Sequence, residues 1–79
     1  MKIPRDLTGR ELIKKLRTLG YDHTRQVGSH IRLTTLRNGT HHITIPNHDP
    51  LKLGTLSSIL SEVAAHFNLS KDELIDKLF

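Results

Sequence analysis

The stretch His30-Ile31-Arg32-Leu33-Thr34-Thr35-Leu36-Arg37-Asn38-Gly39-Thr40-His41-His42-Ile43-Thr44-Ile45-Pro46 decides how this chain folds. Two alternating segments, His30 to Leu36 and Thr40 to Ile45, flank Asn38-Gly39, a hairpin signal. Loop length sets the register. A two-residue Asn-Gly loop pairs Arg37 with Thr40 and therefore Leu33 with Thr44, which mixes apolar and polar residues on both faces. A three-residue loop, Arg37-Asn38-Gly39 with Gly39 in the left-handed position, pairs Leu36 with Thr40 instead. Leu33 then faces Ile43 and Ile31 faces Ile45, giving one apolar face. The other face carries His30, Arg32, Thr34, His42 and Thr44. That separation of core from solvent favours the three-residue loop. Pro46 cannot donate a ladder hydrogen bond, so the last strand is an edge or ends there.

Upstream, Gly28 suits a tight turn, and Tyr21 to Arg25 reads as a weakly patterned first strand. Before it, Thr8 to Leu19 reads as a helix. Thr8 and Glu11 form a capping box, Leu7 and Leu12 a hydrophobic staple, and Gly20 stands at the C′ position. At about 100° per residue, Leu12, Ile13, Leu16 and Leu19 share one face, with Arg10, Lys14 and Arg17 opposite. Downstream, a loop at Asn47-His48-Asp49-Pro50 leads to a helix from near Gly54. Its apolar stripe is Leu56, Ile59, Leu60, Val63 and Phe67. Asn68 closes it. A short last helix follows, with Ser70 and Glu73 as capping box, Leu69 and Leu74 as staple, and Leu74, Ile75 and Leu78 inward.

The order is α-β-β-β-α with an added C-terminal helix, an α+β domain with a three-stranded antiparallel sheet. It is the order of the double-stranded-RNA-binding domain, and order alone does not settle function. Only one sheet face is apolar, so both main helices should cover it and leave the His30 face open. Residues 1–79 make a single domain, with a core over about 6–67 and a helical extension over 69–79. No cysteine is present to form disulfides or thiolate zinc sites. No apolar run approaches the roughly 20 residues of a membrane helix, and Met1 to Asp6 lacks the hydrophobic stretch of a secretory signal. The cytoplasm is the expected compartment. Residues 1–48 hold nine basic and three acidic residues, whereas residues 49–79 hold three and five. A basic N-terminal half with an acidic tail suits a polyanion on one part of the surface, and it equally suits plain solubility.

Arg25-Gln26-Val27-Gly28-Ser29-His30 resembles the HicA (YcfA-like) toxins, in which an Arg-x-x-Gly-Ser-His segment crosses the first hairpin and carries a catalytic histidine. Further matches fall in the family's order: Gly9-Arg10-Glu11-Leu12, Gly20-Tyr21, Pro46-Asn47-His48 and Gly54-Thr55-Leu56. They span roughly residues 6 to 66. The resemblance implies a double-stranded-RNA-binding-like fold, metal-independent cleavage of mRNA, and neutralisation by a HicB-type antitoxin.

The residues support His30 on their own terms. RNA cleavage can use the 2′-hydroxyl as internal nucleophile, which leaves the protein to move protons and stabilise phosphoryl charge. An imidazole, titrating at about 6.5 in isolation, does both near neutrality. Gly28 lets a phosphate approach the backbone, Ser29 can hydrogen-bond the turn or the scissile region, and Arg25 and Arg32 can neutralise phosphate. A bland alternative is an exposed strand histidine of no consequence. His48 is the candidate second acid/base: were the third strand to extend that far, residue 48 would oppose residue 28 and share the His30 face. Otherwise it is a loop histidine. His42, further along the open face, suits contact with RNA or partner, and His23 and His66 read as surface or partly packed.

Metal binding is disfavoured. His41 and His42 point to opposite faces of one strand, and no helix carries a His-x-x-x-His pair. The Arg10, Lys14 and Arg17 stripe suits either an RNA backbone or a merely solvated face. The RNA-binding fold usually has lysines at the start of its last helix, and here only Lys52 lies near, which disfavours ordinary binding to long duplexes. Tyr21, Phe67 and Phe79 are the only rings, expected to pack inward and so unavailable for base stacking. The readings left standing are an mRNA endoribonuclease toxin, a non-catalytic RNA-binding module of the same fold, and an adaptor that forms a homo-oligomer through its tail helix.

Overall fold

A computed structural model describes residues 3–79. The N-terminal helix α1 spans Gly9–Leu16. Its capping box is reciprocal: the Glu11 N–H donates to the Thr8 hydroxyl at 3.1 Å, and the Thr8 N–H donates to the Glu11 carboxylate at 3.0 Å. Leu12, Ile13 and Leu16 are buried. The helix ends sooner than the periodicity suggests, because Arg17–Leu19 tightens into a 3₁₀ turn before Gly20 takes a positive φ of 87°.

Three strands follow in the order β1 (Asp22–Val27), β2 (His30–Thr35) and β3 (His41–Pro46), all antiparallel, with β2 in the middle. The expected hairpin register is present: Ile31 pairs with Ile45 and Leu33 with Ile43. Gly39 has φ 91°, and Asn38 shares the left-handed region at φ 56°. β3 is an edge strand ending at Pro46. β1 starts one residue later and ends two residues later than its composition indicated, because pairing with β2, not its own pattern, defines it.

Helix α2 spans Leu53–His66 and α3 spans Lys71–Leu78. Ile31, Leu33, Ile43 and Ile45 pack against Leu12 and Leu16 of α1 and against Leu56, Ile59, Leu60 and Val63 of α2 in one core. Coverage of that face is narrower than expected. The helices seal β2 and β3, while all six residues of β1 are exposed. The last helix joins the core, since Leu74, Ile75 and Leu78 are buried and the Lys71 ammonium reaches the Ser57 hydroxyl of α2. The apolar side available for self-association is therefore used within the chain. Phe79 departs from its expected inward packing and is exposed, because α3 ends at Leu78 and leaves it at the rim.

The end of the sheet remote from the β1–β2 turn is closed by polar contacts. Buried Thr35 donates to the Leu19 carbonyl at 3.0 Å and accepts the Arg37 N–H at 3.2 Å. Tyr21, fully buried, hydrogen-bonds His41 Nδ1 at 2.7 Å. His41 stacks on His66 with ring centres 4.5 Å apart. His66 Nε2 donates to the Arg37 carbonyl at 2.9 Å, and the Asn38 amide donates to the His66 carbonyl at 2.7 Å. Those two bonds latch the β2–β3 turn onto the end of α2.

Candidate active site on the open face of the sheet

The face that no helix covers is built from residues alternating with the core. Val27 and His30 close the first hairpin around Gly28-Ser29. Gly28 has φ 58°, and a positive φ at the first of two turn positions is what a type II′ hairpin turn asks of glycine. Nothing lies within 4 Å of where a Cβ would sit, so backbone conformation, not crowding, calls for glycine there. The Gln26 side-chain amide donates to the Gly28 carbonyl at 3.0 Å. On the other side the Asn47 N–H donates to the Ser29 carbonyl at 2.7 Å, continuing the ladder one step beyond β3. The turn preceding His30 is thus held from both sides.

Cross-strand pairing sorts the open face into rows. Val27, His30 and Pro46 form the first. Arg25, Arg32 and Thr44 form the second, placing two guanidiniums beside the imidazole row. A bulge between His23 and Arg25 then adds Thr24, whose hydroxyl lies 3.0 Å from that of Thr34. Thr34 in turn hydrogen-bonds His42 Nδ1 at 2.8 Å. His30 and Arg25 are exposed, and Arg32 is half-buried. No acidic side chain stands in the first two rows.

One proton-transfer group next to two guanidinium cations has the chemistry to handle a phosphodiester. The imidazole accepts or gives a proton, while planar guanidiniums meet phosphoryl oxygens. Paired guanidiniums also repel one another, so their shared row favours an anion between them.

The other sequence-predicted residues lie elsewhere. The extension needed to bring His48 onto the His30 face does not form. Its N–H turns back to the Pro46 carbonyl at 2.9 Å, and its carbonyl accepts the Gly9 N–H at 2.9 Å. Gly9 is required there, because a Cβ would come within 2.5 Å of the Pro46 carbonyl oxygen. His48 consequently lines a hollow with Arg10 and Glu11 at the start of α1. Arg10, Lys14 and Arg17 border a groove with His23 and Ile31 on the helix side of the sheet, not the His30 side. His42 is two rows from His30, about 13 Å along β2 at about 3.3 Å per residue. His41 and His42 do face opposite ways, the first half-buried against Tyr21 and the second on the open face. Among the described residues no cluster of three or more His, Cys, Asp or Glu side chains is placed to hold a metal ion. No helix among them is long and apolar enough to cross a membrane.

Three contributors were not named as site residues in the sequence. Val27 is 62% exposed beside His30, Pro46 flanks the ring on the other side, and the Asn47 N–H anchors the turn. The Pro46-Asn47-His48 motif hinted at the last two; nothing in the β1 composition marked Val27.

Fold and site together define a small α+β domain that displays a histidine and an arginine pair on an uncovered sheet face. The family described as HicA toxin of bacterial toxin-antitoxin matches residues 9–64, so the chain belongs to the HicA toxin family. No curated protein and no solved structure gives a significant match.

Proposed function

We propose that the protein is the toxin of a type II toxin–antitoxin pair and acts as an endoribonuclease on mRNA, with His30 as the general acid/base. The observation that carries this reading is His30 exposed on the uncovered face, one row from Arg25 and Arg32. In the proposed step the 2′-oxygen of the substrate bonds to the adjacent phosphorus as the bond to the 5′-oxygen breaks. His30 makes one of the two proton transfers, taking the 2′-hydroxyl proton or supplying one to the departing 5′-oxygen, and water or a second side chain makes the other. Arg25 and Arg32 bind the phosphoryl oxygens as charge grows on them. Gly28 and Ser29 hold the turn that sets the ring. No step calls on a metal, and cleavage persisting in excess chelator is the corresponding expectation. The partner is a HicB-type antitoxin that silences the site.

His48, beside Arg10 and Glu11, is the remaining candidate for a second proton-transfer group, and it reaches the site only if RNA passes over the loop that leads from β3 to α2. The single imidazole in the first two rows is the observation that favours the alternative, a non-catalytic RNA-binding module. Induced expression of wild type beside His30→Ala, with message integrity followed on gels, separates the two. The expected result is growth arrest and message loss with wild type only, at a cost to cleavage of about 10²–10⁴-fold in the variant. Equal arrest by both proteins overturns the role of His30, and intact message with wild type favours the binding module.

A further inference from the structure

The helix-side surface of β1 is a feature that the nuclease reading leaves unused. α1 and α2 stop short of this strand, so a groove of 360 Å³ runs between α1 and β1. Its floor is the edge of the core, Ile13 and Ile31, at 8% and 7% exposure. Its rim is Arg10, Lys14 and Arg17 from α1 and His23 from β1. His23 is there because of the bulge. An uninterrupted ladder would set it opposite Thr34 on the open face, whereas the bulge sets it opposite Leu33 on the core face. Bulges are a common means of re-aiming a side chain at a functional surface. The one acidic group in the groove, Glu11, is occupied by the Thr8 N–H, and hydrogen bonding to Thr8 holds its carboxyl below the usual range.

The strand beside the groove is also open along its length. β1 is an edge, and pairing with β2 uses only one side of its backbone. Because Val27 and His30 close a two-residue hairpin as a hydrogen-bonded pair, the N–H and C=O of Gln26 point outward, available to a further strand.

From these observations we infer that the α1–β1 groove docks an extended acidic segment of a protein partner, which adds to the β1 edge and seats one aliphatic side chain on Ile13 and Ile31. The three rim cations select acidic flanks, and the apolar floor selects a side chain over a phosphate backbone, which would leave that floor without a partner. An RNA strand needs the cations but has no use for the floor. The surface lies across the sheet from His30, so the inference stands whether or not His30 cleaves RNA.

Selection of displayed random decapeptides on the immobilised full chain tests it. Enriched peptides are expected to carry Asp or Glu on both sides of a Leu, Ile or Val. They should bind Arg10→Glu/Lys14→Glu/Arg17→Glu at least tenfold more weakly and His30→Ala unchanged, and bound peptide should slow amide exchange at Gln26. Lys14→Glu alone should give an intermediate loss, which keeps the test independent of the triple variant's folding, followed by circular dichroism. Peptides without acidic enrichment, binding indifferent to these reversals, or unprotected Gln26 overturns the inference. A single-stranded RNA dodecamer that displaces the peptide and loses the same affinity in the variants assigns the groove to RNA instead.

Discussion

The two edge strands show how one sheet divides its work. β3 is an edge whose inner residues, Ile43 and Ile45, lie under both main helices at 4% and 0% exposure. β1 is an edge with every residue exposed, held to the domain by its ladder to β2. A strand with no core duty is free in sequence. β1 accordingly spends its positions on an arginine and a valine toward His30, a histidine toward the α1 groove, and a bulge that chooses between those faces. Apolar burial resides in β2 and β3, and the proposed recognition chemistry collects around β1.

That division can be broken or sharpened by substitution. The largest stability effect belongs to Ile45→Ala, which should cost about 2–5 kcal/mol in urea denaturation through lost burial and a residual cavity. A loss below about 1 kcal/mol at this position would mean the core is not organised on β3. Thr35→Val comes next. It strands the Leu19 carbonyl and the Arg37 N–H at the closed end of the sheet, for an expected loss of about 1–3 kcal/mol. Smallest of the three is His23→Ala on β1, expected within about 0.5 kcal/mol of wild type by the same measurement. A larger loss would show that β1 is part of the core after all.

Titration sharpens the same contrast, because the groups with altered acidity in the core lie at its closed end. Burial pushes the Tyr21 hydroxyl up to about 12 from 10.0, with the Glu62 carboxylate adding to it. The folded state thus holds this proton more tightly than the unfolded chain. Its contribution is complete below pH 10 and is lost as the pH rises from there toward 12. Burial, aided by His66, lowers His41 instead, so its contribution is complete above the ordinary histidine range of about 6.5 and fades as the pH falls through it. Thermal melts across pH should therefore decline at both ends. Tyr21→Phe is expected to flatten the alkaline limb, at a cost of about 1 kcal/mol for the hydrogen bond to His41. An alkaline limb identical in that variant would assign it to other groups.

Much of the candidate site was legible because β structure has a period of two. Once Asn38-Gly39 and the matched isoleucines and leucine fixed one register, His30, Arg32, Thr34, His42 and Thr44 had to share a face. The capping boxes at Thr8 and Ser70 were equally local and equally readable. β1 resisted. Asp22-His23-Thr24-Arg25-Gln26-Val27 has no apolar alternation, so neither its ends nor its bulge could be read from composition. His48 resisted for a related reason: whether a strand continues past a proline depends on what its next residues meet, and here they meet Gly9.

Patterning and local hydrogen-bonding chemistry determined by themselves the element order, the β2–β3 register, the helix starts and the face on which His30 stands. Those features depend on neighbours close in sequence. Only the tertiary structure decided that the helices leave β1 bare, that the bulge sends His23 across the sheet, and that His48 turns toward α1. Each follows from contacts between segments distant in the chain, where no spacing rule applies and the packing of whole elements determines which surfaces remain open.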